Sequence, residues 1–67
     1  MDAQRLKGEI VKNGLTQSDV ASLIGMSGTT FYRRLKKGVF GTDEADKLIK
    51  LLKIEKPETI FFTNLVT

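Results

Sequence analysis

Helix stop and start signals recur at short intervals along this chain, and that punctuation limits what it can fold into. Residues 2–12 place Ala3, Leu6, Ile10 and Val11 close to the i, i+3, i+4, i+7 spacing of an amphipathic helix. Asn13-Gly14 ends it. Thr16-Gln17-Ser18-Asp19 opens a second helix over 17–24. The Thr16 hydroxyl accepts an orphan amide hydrogen and Asp19 stands three residues on, a variant of the capping box. Val20, Ala21, Leu23 and Ile24 form its expected buried side, and Gly25 stops it by accepting a positive φ. Ser27 caps a third helix that runs to Lys37, with Phe31 and Leu35 one turn apart on the same face. Gly38 and Gly41 bracket a loop. Thr42 is expected to cap a fourth helix, whose first turn holds Asp43, Glu44 and Asp46, where the helix dipole favours anions. Ala45, Leu48, Ile49 and Leu52 trace its apolar stripe, and Lys47, Lys50 and Lys53 cover the polar side. Pro57 suits the first position of a short fifth helix that carries Ile60, Phe61 and Phe62.

No strand-length alternating segment precedes the tail, and no internal repeat or low-complexity run is present. The expected fold class is therefore all-α: one domain over residues 1–67, with four helices and a short C-terminal fifth. A domain this small buries only about 60% of its unfolded surface, so its stability margin is thin.

The residue types that are missing exclude much chemistry. The chain has no cysteine and no histidine. Disulfides, the usual zinc sites, thiol catalysis and a Ser–His–Asp triad are all ruled out. No nucleophile stands beside a plausible acid–base partner, so the chain is not expected to be an enzyme, and no cofactor or metal is implied. Asp43, Glu44 and Asp46 read as dipole partners rather than metal ligands. The longest purely apolar run is Ile60-Phe61-Phe62, whereas a membrane span needs roughly 20 residues. The first twelve residues contain Asp2 and Glu9 and no signal-peptide core. The expectation is a soluble protein of the cytoplasm.

Charge is segregated behind a net value of +3. From Val20 to Thr42 there is no acidic residue, while Arg33, Arg34, Lys36 and Lys37 give that stretch +4. Basic character concentrated in this way suits contact with a polyanion.

The spacing within residues 16–37 has a physical reason at each position. A small residue at Ala21 lets two helices approach, Gly25 makes the turn, and Val20, Ile24 and Phe31 fill the angle between them. Leu15-Thr16-Gln17-Ser18-Asp19-Val20-Ala21, then Ile24-Gly25-Met26-Ser27, then Thr30-Phe31-Tyr32-Arg33 resembles the Cro/XRE-type helix–turn–helix regulators with the lambda-repressor-like fold. The match is strong over about residues 15–37, and the five-helix layout extends it over nearly the whole chain. The ending Lys56-Pro57-Glu58-Thr59-Ile60-Phe61-Phe62 looks like that of small prophage-type regulators.

The resemblance implies a helix–turn–helix over 17–37 with a recognition helix, 28–37, lying in the major groove of operator DNA. It places base contacts at Gly28, Thr29, Tyr32 and Arg33. Arg33 is suited to guanine O6 and N7, and Thr29 to a base edge or a thymine methyl. Gln17 matches the family's phosphate anchor, and Ser27, Thr30, Arg34, Lys36 and Lys37 are further candidate backbone contacts. Two positions depart from the family pattern. Gly28 has no side chain where the family usually reads DNA, which leaves specificity to its neighbours or to DNA shape. Arg34 stands where an apolar residue is usual, with Leu35 apolar one place later. That shift either rotates the end of the helix or exposes Arg34 to a phosphate.

Near the C-terminus, Phe61, Phe62, Leu65 and Val66 either close the core or form a patch for self-association. The expected partners are double-stranded DNA and a second copy in a weak homodimer, formed in solution or only on DNA. The alternative is a protein–protein interaction module that modulates a partner repressor.

Overall fold

In the computed structural model, which describes residues 1–61, five helices pack around one apolar core. They are α1 (Ala3–Lys12), α2 (Gln17–Leu23), α3 (Gly28–Lys37), α4 (Thr42–Leu52) and α5 (Glu58–Phe61). Of the self-association candidates, Phe62, Leu65 and Val66 lie outside the described residues; Phe61 is half-buried against the core.

Helix boundaries follow the capping chemistry. Asp2 caps α1, its carboxylate accepting from the Arg5 N–H at 3.1 Å, so the helix starts one residue later than expected. At α2 the capping box is complete: the Asp19 N–H donates to the Thr16 hydroxyl at 3.0 Å, and the Thr16 N–H donates to the Asp19 carboxylate at 2.9 Å. The expected cap at Thr42 is corrected. Gly41 takes the cap position and Thr42 is the first helical residue, because Glu44 reaches back and accepts the Gly41 N–H at 2.7 Å. Pro57 likewise sits just before α5 rather than in it, its carbonyl accepting from Ile60 and Phe61. Lys53 closes α4 in the left-handed region, at φ 53°, where glycine is the usual residue.

Leu6, Ile10, Val20, Ala21, Ile24, Phe31, Leu35, Leu48, Leu52, Ile54 and Ile60 are buried. Ile49 is half-buried at the edge of this cluster. Two expected core residues are not in it: Val11 is 74% exposed and Leu23 61%. Each projects about 100° round its helix from the middle of the buried stripe, past the reach of the neighbouring helix. Phe40, which reads as a loop residue, instead packs on Phe31 with ring centroids 5.5 Å apart and ring planes tilted at 51°. A tilted aromatic pair of this kind contributes about 0.5–1.5 kcal/mol beyond its buried area.

Two long-range contacts lock the ends of the bundle. The Asp2 N–H donates to the Ile60 carbonyl at 2.7 Å, which joins the start of α1 to α5. The Asn13 side-chain amide donates to the carbonyls of Glu9 at 2.8 Å and Leu52 at 3.1 Å, satisfying the ends of α1 and α4 together. Among the described residues, no helix is long and apolar enough to cross a membrane.

Candidate nucleic-acid interface

Helices α2 and α3 form a tight angle whose inner side is Val20, Ala21, Ile24, Phe31 and Leu35, each at most 7% exposed. The turn between them is closed by the Met26 N–H donating to the Ala21 carbonyl at 2.8 Å. Gly25 supplies the φ of 76° that this reversal requires. Ser27 then starts α3: its hydroxyl accepts the Thr30 N–H at 3.2 Å and donates to the Thr30 hydroxyl at 2.8 Å. The turn and the cap together fix how α3 is presented.

With Phe31 and Leu35 turned into the core, a helical period of 3.6 residues puts Arg33 on the opposite, outward edge of α3. Thr29, Lys36 and Lys37 lie beside it and are exposed, and Tyr32 is 59% exposed. The structure thus brings Thr29, Tyr32, Arg33, Lys36 and Lys37 onto one accessible helix. Gln17 is half-buried at the start of α2. The hydroxyls of Ser27 and Thr30 bond to each other, and Thr30 is half-buried.

Gly28 is exposed at the first position of α3, without a positive φ, and a Cβ built there meets nothing within 4 Å. Neither backbone geometry nor packing requires glycine at this position. Its bareness is a property of the surface that α3 offers.

Arg34 takes a different course from its basic neighbours. Its Nη1 donates to Glu44 Oε1 at 2.7 Å, the same oxygen that accepts the Gly41 N–H. Leu35 occupies the apolar position, and Arg34 joins α3 to the first turn of α4. Glu44 is therefore engaged from two sides.

Cations flank the outward edge of α3 in two clefts. One, of about 230 Å³, is lined by Thr30, Arg33, Arg34, Lys37 and Val39. The other, of about 110 Å³, is lined by Tyr32, Leu35 and Lys36 of α3 and by Lys7 of α1. Lys7 has no signature in the linear sequence, because its place beside α3 arises only from packing between helices distant along the chain.

Asp19 is held below its ordinary value of 3.8, chiefly because the Thr16 N–H donates to its carboxylate, with the Thr16 hydroxyl adding a smaller pull. It serves the cap of α2 and so the placement of the helix–turn–helix.

No curated protein and no solved structure matches the chain. Residues 9–53 match the family model described as the antitoxin Xre-like helix-turn-helix domain, a stretch that holds both helices of the motif, the turn and the basic end of α3. An all-helical chain with this turn, this cap and this match is a member of the Xre-like helix–turn–helix family, a domain of DNA-binding regulators.

Proposed function

We propose that this protein is a sequence-specific, non-catalytic regulator of transcription, of phage or prophage type, that lays α3 in the major groove of operator DNA. The observation that carries this reading is the position of Arg33 on the outward edge of α3, with Lys37 beside it in one cleft and Lys7 and Lys36 lining a second. The major groove is about 12 Å wide and bordered by phosphates on both sides, so a reading helix needs cations on both flanks. Arg33 pairs with guanine O6 and N7, Thr29 and Tyr32 contact neighbouring base edges, and Gly28 leaves room for close approach. Gln17, Ser27, Thr30, Lys36 and Lys37 hold phosphates and set the register. Arg34 is given to Glu44 and acts by positioning α4 against α3. The protein works in the cytoplasm as a weak homodimer on near-palindromic half-sites about 34 Å apart.

The test is Arg33→Ala. It is expected to lose about 1–3 kcal/mol of binding and to relax preference at one base pair. Unchanged affinity and unchanged preference would remove Arg33 from the base contacts.

A second reading is a module that binds a partner protein, such as a repressor. A 370 Å³ groove supports it, since Met1, Val39, Phe40, Ala45, Ile49 and Phe61 are among its lining residues. The antitoxin in the family's description points the same way. Salt separates the two readings: DNA binding falls steeply as salt rises, whereas an apolar interface holds.

A further inference from the structure

We propose that Lys7, on α1 and outside the helix–turn–helix, is a DNA-backbone contact that seats a phosphodiester in the cleft it shares with Tyr32 and Lys36. The inference rests on the reading of α3 as a DNA-binding helix and adds a residue that neither the motif nor the family match at residues 9–53 covers.

Three observations support it. First, Lys7 and Lys36 line one small cleft, of about 110 Å³, together with Tyr32 and Leu35. Two ammonium groups around one cleft repel each other, and among the described residues neither has a carboxylate within 4.0 Å; the three ion pairs present use Arg5, Arg34 and Lys50. Placing like charges together without a counter-charge costs stability in the free protein, and an anion between them offsets that cost. Second, the cleft is lined by two lysines, whose ammonium groups are the donors that a phosphate needs. Third, the position is right. Lys36 lies three residues after Arg33, about 60° short of a full helical turn, so it borders the outward edge of α3. A phosphate held there belongs to the strand on the α1 side of the groove. Lys37, in the larger cleft, serves the opposite side.

The other groove that α1 borders has different chemistry. Arg5, Lys12, Lys53 and Lys56 share it with the carboxylates of Glu9 and Glu55, and it runs along α1 beside the segment that joins α4 to α5. Those carboxylates bring counter-charge into the groove itself, which the cleft of Lys7 and Lys36 lacks.

The experiment uses the full chain and a duplex selected by the wild-type protein from a randomised pool. Binding of wild type, Lys7→Gln, Lys7→Arg and Lys47→Gln is measured across salt, with ethylation interference on the same duplex. Lys47 is exposed and lines neither α3 cleft, so its variant controls for net charge. Lys7→Gln is expected to weaken binding roughly three- to tenfold, to lower the salt slope by about one, and to leave base preference unchanged. Lys7→Arg retains wild-type binding. One phosphate whose ethylation inhibits the wild type no longer matters to Lys7→Gln. Equal slopes for wild type and Lys7→Gln, or an equal change from Lys7→Gln and Lys47→Gln, overturns the assignment while DNA binding itself stands. A wild-type protein that selects no duplex overturns the DNA-binding reading and this inference with it. Thermal stability of Lys7→Gln at or above that of wild type, as loss of the repulsion with Lys36 requires, separates loss of contact from loss of fold.

Discussion

Removing the bridge between Arg34 and Glu44 tests how α3 is held. Arg34 Nη1 lies 2.7 Å from Glu44 Oε1, and the two side chains are 42% and 25% exposed. Water reaches the pair, so its own worth is about 0.2–1 kcal/mol. Glu44 does more, since the same oxygen accepts the Gly41 N–H at the start of α4, an orphan amide that no side chain of Gly41 can help. Losing that cap costs about 1 kcal/mol in addition. Arg34→Ala is therefore expected to cost at most about 1 kcal/mol, and Glu44→Ala about 1–2 kcal/mol. The double variant resembles Glu44→Ala alone, which gives a coupling energy of about 0.5–1 kcal/mol. For a domain of 67 residues each kcal/mol moves Tm by about 4–8 °C, well within reach of thermal and urea unfolding. The four proteins are compared at low and high salt, and the coupling shrinks as salt screens the pair. Additive losses, with Arg34→Ala leaving Tm unchanged but flattening the salt slope of DNA binding by about one, refute the bridge and return Arg34 to the phosphate contacts.

Three further outcomes follow from local geometry. Gly28→Ala meets open space at a position without positive φ, so it raises stability by up to about 0.5–1 kcal/mol in urea unfolding; a loss would mean that the backbone there needs glycine. Lys53→Gly also stabilises, because Lys53 holds φ 53°; relief of about 1–2 kcal/mol of left-handed strain exceeds the extra chain entropy of glycine, and a fall in Tm would contradict this. Asp19 has a folded pKa below its ordinary 3.8, so its contribution is present in full above the unfolded value and is lost as the pH falls from 3.8 through the folded pKa. Asp19→Asn removes that part of the acid limb in a Tm-versus-pH series, and an identical acid limb in both proteins would contradict it.

The motif was legible because its signals are local. Thr16 and Asp19 meet three residues apart, Ser27 and Thr30 likewise, and Gly25 takes the positive φ that its place between two short helices demands. Burial was less legible at the margins of each stripe. Val11 and Leu23 are apolar and close to the right spacing, yet burial depends on where the partner helix ends, which period alone does not encode. Phe40 and Lys7 illustrate the larger gap. One packs from a loop with no period, and the other reaches α3 from a different helix, so both depend on tertiary packing. The bond from Arg34 to Glu44 has no local signal either, since the two residues stand ten apart and on different helices.

Reading of duplex DNA by α3 depends on sequence. The decisive experiment is selection of duplexes by the wild-type protein from a randomised pool, followed by binding of the selected and a scrambled duplex across salt. The expected result is a recurring motif, tighter binding to it than to the scrambled duplex at every salt concentration, and affinity that falls linearly on a log–log plot as salt rises. No enrichment, or equal binding to both duplexes, would contradict it.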